Sequence, residues 1–412
     1  MEVDFCKKPL VGSYLPCVYP DVRVKGFDGF LTGLFKGKKM KKTLIALAVM
    51  GAAAGVANAQ SNVVIYGVVD TGFIKENGSD TRMGSNIDNR IGFRGTEDLG
   101  SGQKATFELE RRFNLNDGTL AQEGKDWDGA ANIGLKGDNW GAVRLGRVNE
   151  LTTETLRTFD PFYQYGVGSM LLSTQRSARI DNTIRYDSPN WSGFRFGASY
   201  SLGENMKNVT GVAYDPTRVP GQSQPEATPA NVKYAGADND GYAVMLGYDN
   251  GPLALVGNWS RLADSNKSYV WNLAAAYAFG PARISLAYEQ TRDKGWKEGE
   301  ISIRSKQQNW LLGLQYEIGP GRLDASFNYG RVKDVAWANN DSGHKDVKKY
   351  ALGYTYDLSK RTSVYGIVAY SDYDNKQVAG FYRGEGLNNN GDPASYNRDS
   401  VTGVQVGITH KF

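Results

Sequence analysis

Val404-Gln405-Val406-Gly407-Ile408-Thr409-His410-Lys411-Phe412 closes the chain, with an apolar residue at every second position and an aromatic one last. Alternation of period two belongs to a strand whose two faces meet different surroundings. The same beat runs back through Tyr350-Leu352-Tyr354-Tyr356, Leu323-Ala325-Phe327-Tyr329, Trp310-Leu312-Leu314-Tyr316, Ile284-Leu286-Tyr288 and Tyr269-Trp271-Leu273-Ala275-Tyr277. It begins near Asn62 to Ile74, where Val63, Ile65, Val69 and Phe73 oppose Tyr66, Val68 and Asp70. Aromatic residues gather toward the strand ends.

Seven tight turns separate these strands. They are Thr96 to Gly102, Lys136 to Gly141, Asp187 to Gly193, Asp249 to Pro252, Phe279 to Pro281, Ile318 to Gly321 and Asp357 to Lys360. Between them lie longer polar segments, approximately 75–84, 114–128, 149–177, 203–239, 263–267, 292–304, 333–346 and 374–400. Seven hairpins plus one strand at each end predict about 16 strands. An even count, brief turns at one end and long loops at the other are what a bacterial outer-membrane barrel requires, with aromatic girdles at its two lipid–water boundaries. The fold expected is all-β: a closed transmembrane antiparallel β-barrel of about 16 strands. A soluble β-sandwich also alternates, but without so many strands in one unbroken domain.

The N-terminal region agrees with export. Met40-Lys41-Lys42 forms a charged start, Thr43 to Val56 an apolar run, and Ala57-Asn58-Ala59 a small-x-small cleavage pattern. Residues 40–59 are thus expected to be a signal peptide and 60–412 the barrel domain, beginning at Gln60. Residues 1–39 match neither and are expected to be a non-mature upstream extension. Residues 1–59 hold nine of the 48 basic and four of the 44 acidic residues, so 39 and 40 remain, a net charge of −1. The basic balance of the full chain therefore gives no reason to invoke nucleic acid. Cys6 and Cys17, the two cysteines, lie in the same leader, so no disulfide, no metal and no other cofactor is expected.

The third long segment departs from the rest. Leu151-Thr152-Thr153-Glu154-Thr155-Leu156-Arg157 reads as a short helical turn, Asp160-Pro161-Phe162-Tyr163 as a kink, and Tyr165 to Leu172 as an unusually apolar stretch. So much apolar surface predicts a loop folded inward against the wall.

Several stretches resemble the Gram-negative general-diffusion porins, most closely their β-proteobacterial branch. They are Val64-Ile65-Tyr66-Gly67, Asn89-Arg90-Ile91-Gly92-Phe93-Arg94-Gly95-Thr96-Glu97-Asp98-Leu99-Gly100, Gly146-Arg147, Asp160-Pro161-Phe162, Arg179 to Tyr186 and the terminal Lys411-Phe412. The likeness covers essentially the whole mature chain. It implies a homotrimer in the outer membrane among its lipids and lipopolysaccharide, and a third loop that narrows the channel to an eyelet. Phe412 ends an amphipathic last strand, which any barrel needs, and is also expected to be the signal that the barrel-assembly machinery reads. Carried over residue by residue, Arg90, Arg147 and Arg179 match the family's arginine cluster. Asp160 stands where a loop acid is expected, and Glu110 matches an acid that supports the arginines. The chain departs from the enteric pattern at Val68, where a lumenal lysine is common, and in offering fewer acids around Asp160. The expected function is passive diffusion of small hydrophilic solutes and ions, with small anions preferred.

Parity tests these assignments. Arg90, Gly92 and Arg94 oppose Ile91 and Phe93, and Arg179, Asp181, Thr183 and Arg185 oppose Ile180 and Ile184, as lumenal residues should. Strict alternation puts Arg147 on the outward face with Val143 and Leu145, so a bulge or the strand's end is needed to bring it inward. The ordinary alternatives are that each arginine only stiffens the wall by pairing with an acid, and that Asp160 only initiates a turn. Arg94, Arg112, Arg144 and Arg185 are read as such wall residues. A substrate-specific channel is the close rival, yet most strand aromatics share a face with Leu, Ile and Val. An outer-membrane hydrolase would need a nucleophile and base, and the only histidines are His344 and His410, with no Gly-x-Ser-x-Gly elbow.

Overall fold

A computed structural model describes residues 62–122, 124–173, 178–204, 240–265, 267–294, 297–298, 301–302, 305–334, 343–374, 378, 382–383 and 398–412. The expectations for residues 1–59 lie outside them. Sixteen strands form the wall: β1 (Asn62–Glu76), β2 (Arg90–Gly100), β3 (Gln103–Arg112), β4 (Ala130–Gly137), β5 (Gly141–Asn149), β6 (Arg179–Asp187), β7 (Phe194–Ser201), β8 (Gly241–Asn250), β9 (Leu253–Arg261), β10 (Tyr269–Phe279), β11 (Ala282–Asp293), β12 (Ser305–Ile318), β13 (Gly321–Lys333), β14 (Lys345–Asp357), β15 (Thr362–Tyr373) and β16 (Ser400–Lys411). Each pairs antiparallel with its chain neighbours, and the three-residue strand Arg82–Gly84 pairs with β1. β1 joins β2 along its first half, from Asn62 opposite Thr96 to Val68 opposite Arg90, and β16 along its second, from Val68 opposite Lys411 to Glu76 opposite Gly403. The sheet is closed. Phe412 completes the seam, its backbone N–H and C=O both bonded to Gly67 at 3.1 Å.

Closure leaves the sheet no open edge, so the strands satisfy their backbone groups against one another rather than against lipid. The seven expected turns join strands in pairs. Three are two-residue Gly-Pro loops at Gly251, Gly280 and Gly319, with φ of 56°, 55° and 59°. A left-handed first residue followed by a φ near that of proline is the hairpin geometry that matches strand twist.

The faces are inverted relative to a soluble globule. Ile133 is 64 % exposed and Leu246 61 %, whereas Asp70, Asn272, Glu289 and Gln405 are 0 % exposed. Leucines, isoleucines and aromatics point outward to lipid, and the polar alternates point into the bore. The sequence-derived faces of β1 hold: Val63, Ile65 and Phe73 are exposed outside, Val68 and Asp70 buried inside.

Between β5 and β6 the chain turns into the bore. Helix α1 (Leu151–Arg157) begins where the Glu150 carboxylate caps it, accepting from the Thr153 N–H at 2.7 Å. Leu151, Leu156, Phe159 and Met170 form one buried cluster with Ala243, Met245, Val256, Ala274, Ala276, Ala287 and Leu311, the inward alternates of β8–β12. Farther along, Phe162 and Val167 pack with Ala351, Tyr365, Ile367 and Ala369 of β14 and β15. Val167 N–H donates to Gln405 of β16 at 3.1 Å. The segment therefore spans the inside from β8 round to β16, leaving β2–β6 as the facing wall.

Candidate functional site

That facing wall carries the arginines. Arg90 and Arg112 stand directly opposite on β2 and β3, a like-charge pair that neighbouring acids must offset. Glu110 does so: it accepts from Arg112 Nε at 2.9 Å, lies 3.9 Å from Arg90 and also accepts from the Tyr66 hydroxyl at 3.1 Å. Asp88 pairs with the other side of Arg112. Glu110 thus lies between Arg90 and Arg112 and touches both.

Arg147 reaches the same wall by the one irregularity that parity demanded. The β5–β6 register shifts between Gly146 and Val148, and Gly146 takes φ 124°. This bulge turns Arg147 inward, where its guanidinium bonds Asp181 at 2.5 Å and the Asp128 carbonyl at 2.8 Å. Lys125 from the preceding loop pairs with the other oxygen of Asp181. Arg179 is half-buried nearby, within electrostatic reach of Arg112, Asp88 and Glu110. Burial raises the Asp128 carboxyl above its ordinary range, outweighing the Arg112 N–H and the surrounding guanidinium groups.

Asp160 is placed otherwise than the resemblance implied. It is 0 % exposed, and its carboxylate accepts the N–H groups of Phe162 at 3.1 Å, Gln164 at 2.8 Å and Met170 at 2.9 Å. Burial pushes it up to about 6, against those three donors and Lys349. It knots the loop and meets no lumenal water. The remaining acids of residues 150–172 are also engaged, Glu150 as the helix cap and Glu154 with Arg185 at 2.5 Å. Burial works to raise Glu154, but Arg185 and the Asn149 amide hold it below the usual range.

What the loop presents instead is Arg157. Its guanidinium lies 5.3 Å from the centroid of the Tyr165 ring and within electrostatic reach of Arg179. Its Nε is buried with no hydrogen-bond partner among the described residues. Sequence reading placed Arg157 in the helical turn without a role; the signal available was a cation in the last turn of a capped helix. A second missed signal was the run of inward alanines at 274, 276 and 287, whose small size makes room for the loop. Arg112, Arg144 and Arg185 are wall residues as expected, each paired with an acid, and Arg94 stacks over Tyr66 at 5.1 Å.

Around the gap between loop and wall stand six cations (Arg90, Arg112, Arg147, Arg157, Arg179, Lys125) and four carboxylates (Asp88, Glu110, Asp128, Asp181), a formal balance of +2.

A sixteen-stranded closed barrel with this inward segment matches known proteins along its length. The family model for the Gram-negative porin matches residues 46–376. This chain belongs to the Gram-negative porins. Outer membrane porin protein 32 of Delftia acidovorans is 34 % identical over 400 residues, covering 90 % of this chain and 100 % of that protein. An outer membrane porin protein of Bordetella pertussis is 32 % identical over 393 residues, covering 81 % and 94 %. Among solved structures, the anion-selective porin from Comamonas acidovorans aligns with TM-score 0.68 at 27 % identity, covering 86 % of this chain and 100 % of that one. This porin is thus a channel of the outer membrane for passive diffusion.

Proposed function

We propose that the gap between the inward loop and the β2–β6 wall is the constriction, and that its arginines make the passage prefer anions. The carrying observation is the +2 balance around that gap, with all three loop carboxylates between residues 150 and 172 turned to structural work. Selectivity in such pores comes from charged side chains at the narrow point rather than from total charge. Arg90, Arg147 and Arg179 act as the wall's fixed charges, and Glu110 orients Arg90 and Arg112. Asp160 acts on permeation through loop shape. The similarity to an anion-selective porin supports the same reading. No reaction is involved: a small hydrophilic solute enters a wet bore, and the field of the arginines biases which ions follow.

The assembly expected is a homotrimer among outer-membrane lipids, inserted by the machinery that reads Phe412 after cleavage before Gln60. The test is the reversal potential of single channels in a planar bilayer across a potassium chloride gradient. Anion preference is expected, and its reduction when Arg90 and Arg179 are both replaced by glutamine. A cation-selective wild type refutes the reading.

A further inference from the structure

On the short-turn side of Arg90 the wall holds two opposite charges that stand face to face and do not meet. Arg94 on β2 and Glu108 on β3 are direct cross-strand partners, in the inward rung next to that of Gly92 and Glu110. Opposite charges so placed ordinarily pair and stabilise a sheet. Here Arg94 has no carboxylate within ion-pair distance among the described residues, and its guanidinium lies 5.1 Å from the centroid of the Tyr66 ring. Glu108 accepts instead from the Tyr66 hydroxyl at 2.8 Å and takes no other hydrogen bond among the described residues.

Tyr66 comes from β1 and reaches β3 by crossing β2. Its cross-strand partner is Gly92, whose own partner on β3 is Glu110. A Cβ on Gly92 would lie 2.4 Å from Tyr66 Cζ and 2.6 Å from its hydroxyl oxygen, so the glycine is what lets the ring lie across that strand. The hydroxyl then stands between two carboxylates, 2.8 Å from Glu108 and 3.1 Å from Glu110. Glu110 has the Arg112 guanidinium as a second donor at 2.9 Å, whereas Glu108 depends on the phenol. The ring face meanwhile carries Arg94 by a cation–π contact. One neutral side chain thus occupies both members of a charge pair. Arg94 stays exposed to the bore, beside a recess of about 350 Å³ that it lines with Thr96, Thr106, Asn132 and Arg144.

We propose that Tyr66 is a specificity-determining positioning residue: by holding Glu108 and Arg94 apart, it keeps Arg94 as a further cation acting on ions that pass the constriction. The inference deepens the anion-preferring reading and rests on it for the direction of the effect. Arg94 lies four residues along β2 from Arg90, roughly 13 Å. An ion leaving the first arginines therefore meets a second positive point little more than a Debye length away, which is about 10 Å at 0.1 M salt. Without the hydroxyl, Glu108 loses its one donor, and the group that can replace it is the guanidinium directly across the sheet. A charge-assisted pair then closes, and the charge of Arg94 is cancelled for a passing ion.

The test compares reversal potentials of the intact porin in planar bilayers, near 0.1 M potassium chloride, for wild type, Tyr66→Phe, Glu108→Gln and the double variant. Each variant is first checked for heat-resistant barrel structure. Tyr66→Phe keeps the ring over Gly92 and removes only the hydroxyl. It is expected to lower the anion-to-cation permeability ratio by up to about fourfold, the figure for one full charge about 6 Å from the ion at that salt. In the Glu108→Gln background the same change is expected to leave the ratio unmoved, because no carboxylate is freed. A role in packing alone would lower the ratio equally in both backgrounds, and the double-mutant cycle separates the two. An unmoved ratio in Tyr66→Phe, or equal losses in both backgrounds, overturns the proposal. A cation-selective wild type would refute the reading of the constriction, whereas the difference between variants still decides the role of Tyr66.

Discussion

Replacing Arg157 interrogates the constriction most directly, because this residue belongs to the loop and leaves the wall untouched. The formal balance around the gap is +2; Arg157→Gln lowers it to +1 and Arg157→Glu to 0. A monovalent ion passing about 6 Å from a full charge in water gains or loses about 0.7 kcal/mol. An anion gains what a cation loses, so one charge changes the anion-to-cation permeability ratio by about tenfold at low salt. Near 0.1 M the Debye length of about 10 Å reduces this to about fourfold. Arg157→Glu removes two units and is expected to lower the ratio about tenfold at that salt, leaving a pore close to unselective. The assay is the bilayer reversal potential, repeated at two salt concentrations, with Arg157→Lys as the control that keeps the charge. The buried Nε and the Tyr165 stacking distinguish guanidinium from ammonium only in packing, so lysine should preserve selectivity. A folded Arg157→Glu channel with the wild-type reversal potential refutes the placement of this side chain beside the ion path.

Asp160 has a folded-state value of about 6 against an ordinary 3.8, so the folded loop binds its proton more tightly than the unfolded chain does. Its contribution is therefore fully present below about pH 4 and lost as pH rises through 6, a swing of about 3 kcal/mol. Amide exchange at Phe162, Gln164 and Met170, corrected for its intrinsic pH dependence, should show greater protection at pH 5 than at pH 7, an effect Asp160→Asn removes; falling protection on acidification would reverse the sign. Leu156→Ala empties a fully buried position between loop and wall at a cost of about 2–5 kcal/mol. Noisier single-channel current and a lower unfolding midpoint are expected, and unchanged traces would mean the loop is held elsewhere. Gly146→Val puts a Cβ 2.3 Å from the Ala131 carbonyl at φ 124°, strain of about 1–3 kcal/mol. It should lose the bulge and with it the Arg147–Asp181 pair, read as lower anion preference and lower stability together. Deleting Phe412 removes both backbone bonds to Gly67 and is expected to slow assembly, measured as accumulation of unfolded porin in pulse-labelled cells.

Period-two alternation and the seven turns are local properties, so the wall was legible in the residues themselves: its strand number, its inverted faces, and the inward facing of Arg90 and Arg179. Burial of the 151–172 segment was legible too, because its apolar content had to go somewhere dry. Asp160 was not. A carboxylate in an Asp-Pro sequence reads alike whether it faces water or ties three amides together, and only the neighbours at 162, 164 and 170 decide between them.

Arg147 makes the same point from the other side. Alternation placed it outside, and a single bulge at Gly146 moved it in. The facing of Arg90 and Arg112 is likewise invisible along the chain, since 22 residues separate them. Strand identity and face come from side-chain periodicity, which each segment carries alone. Which charges become neighbours depends on register between strands and on closure of the sheet, and those are fixed only when the whole wall has formed.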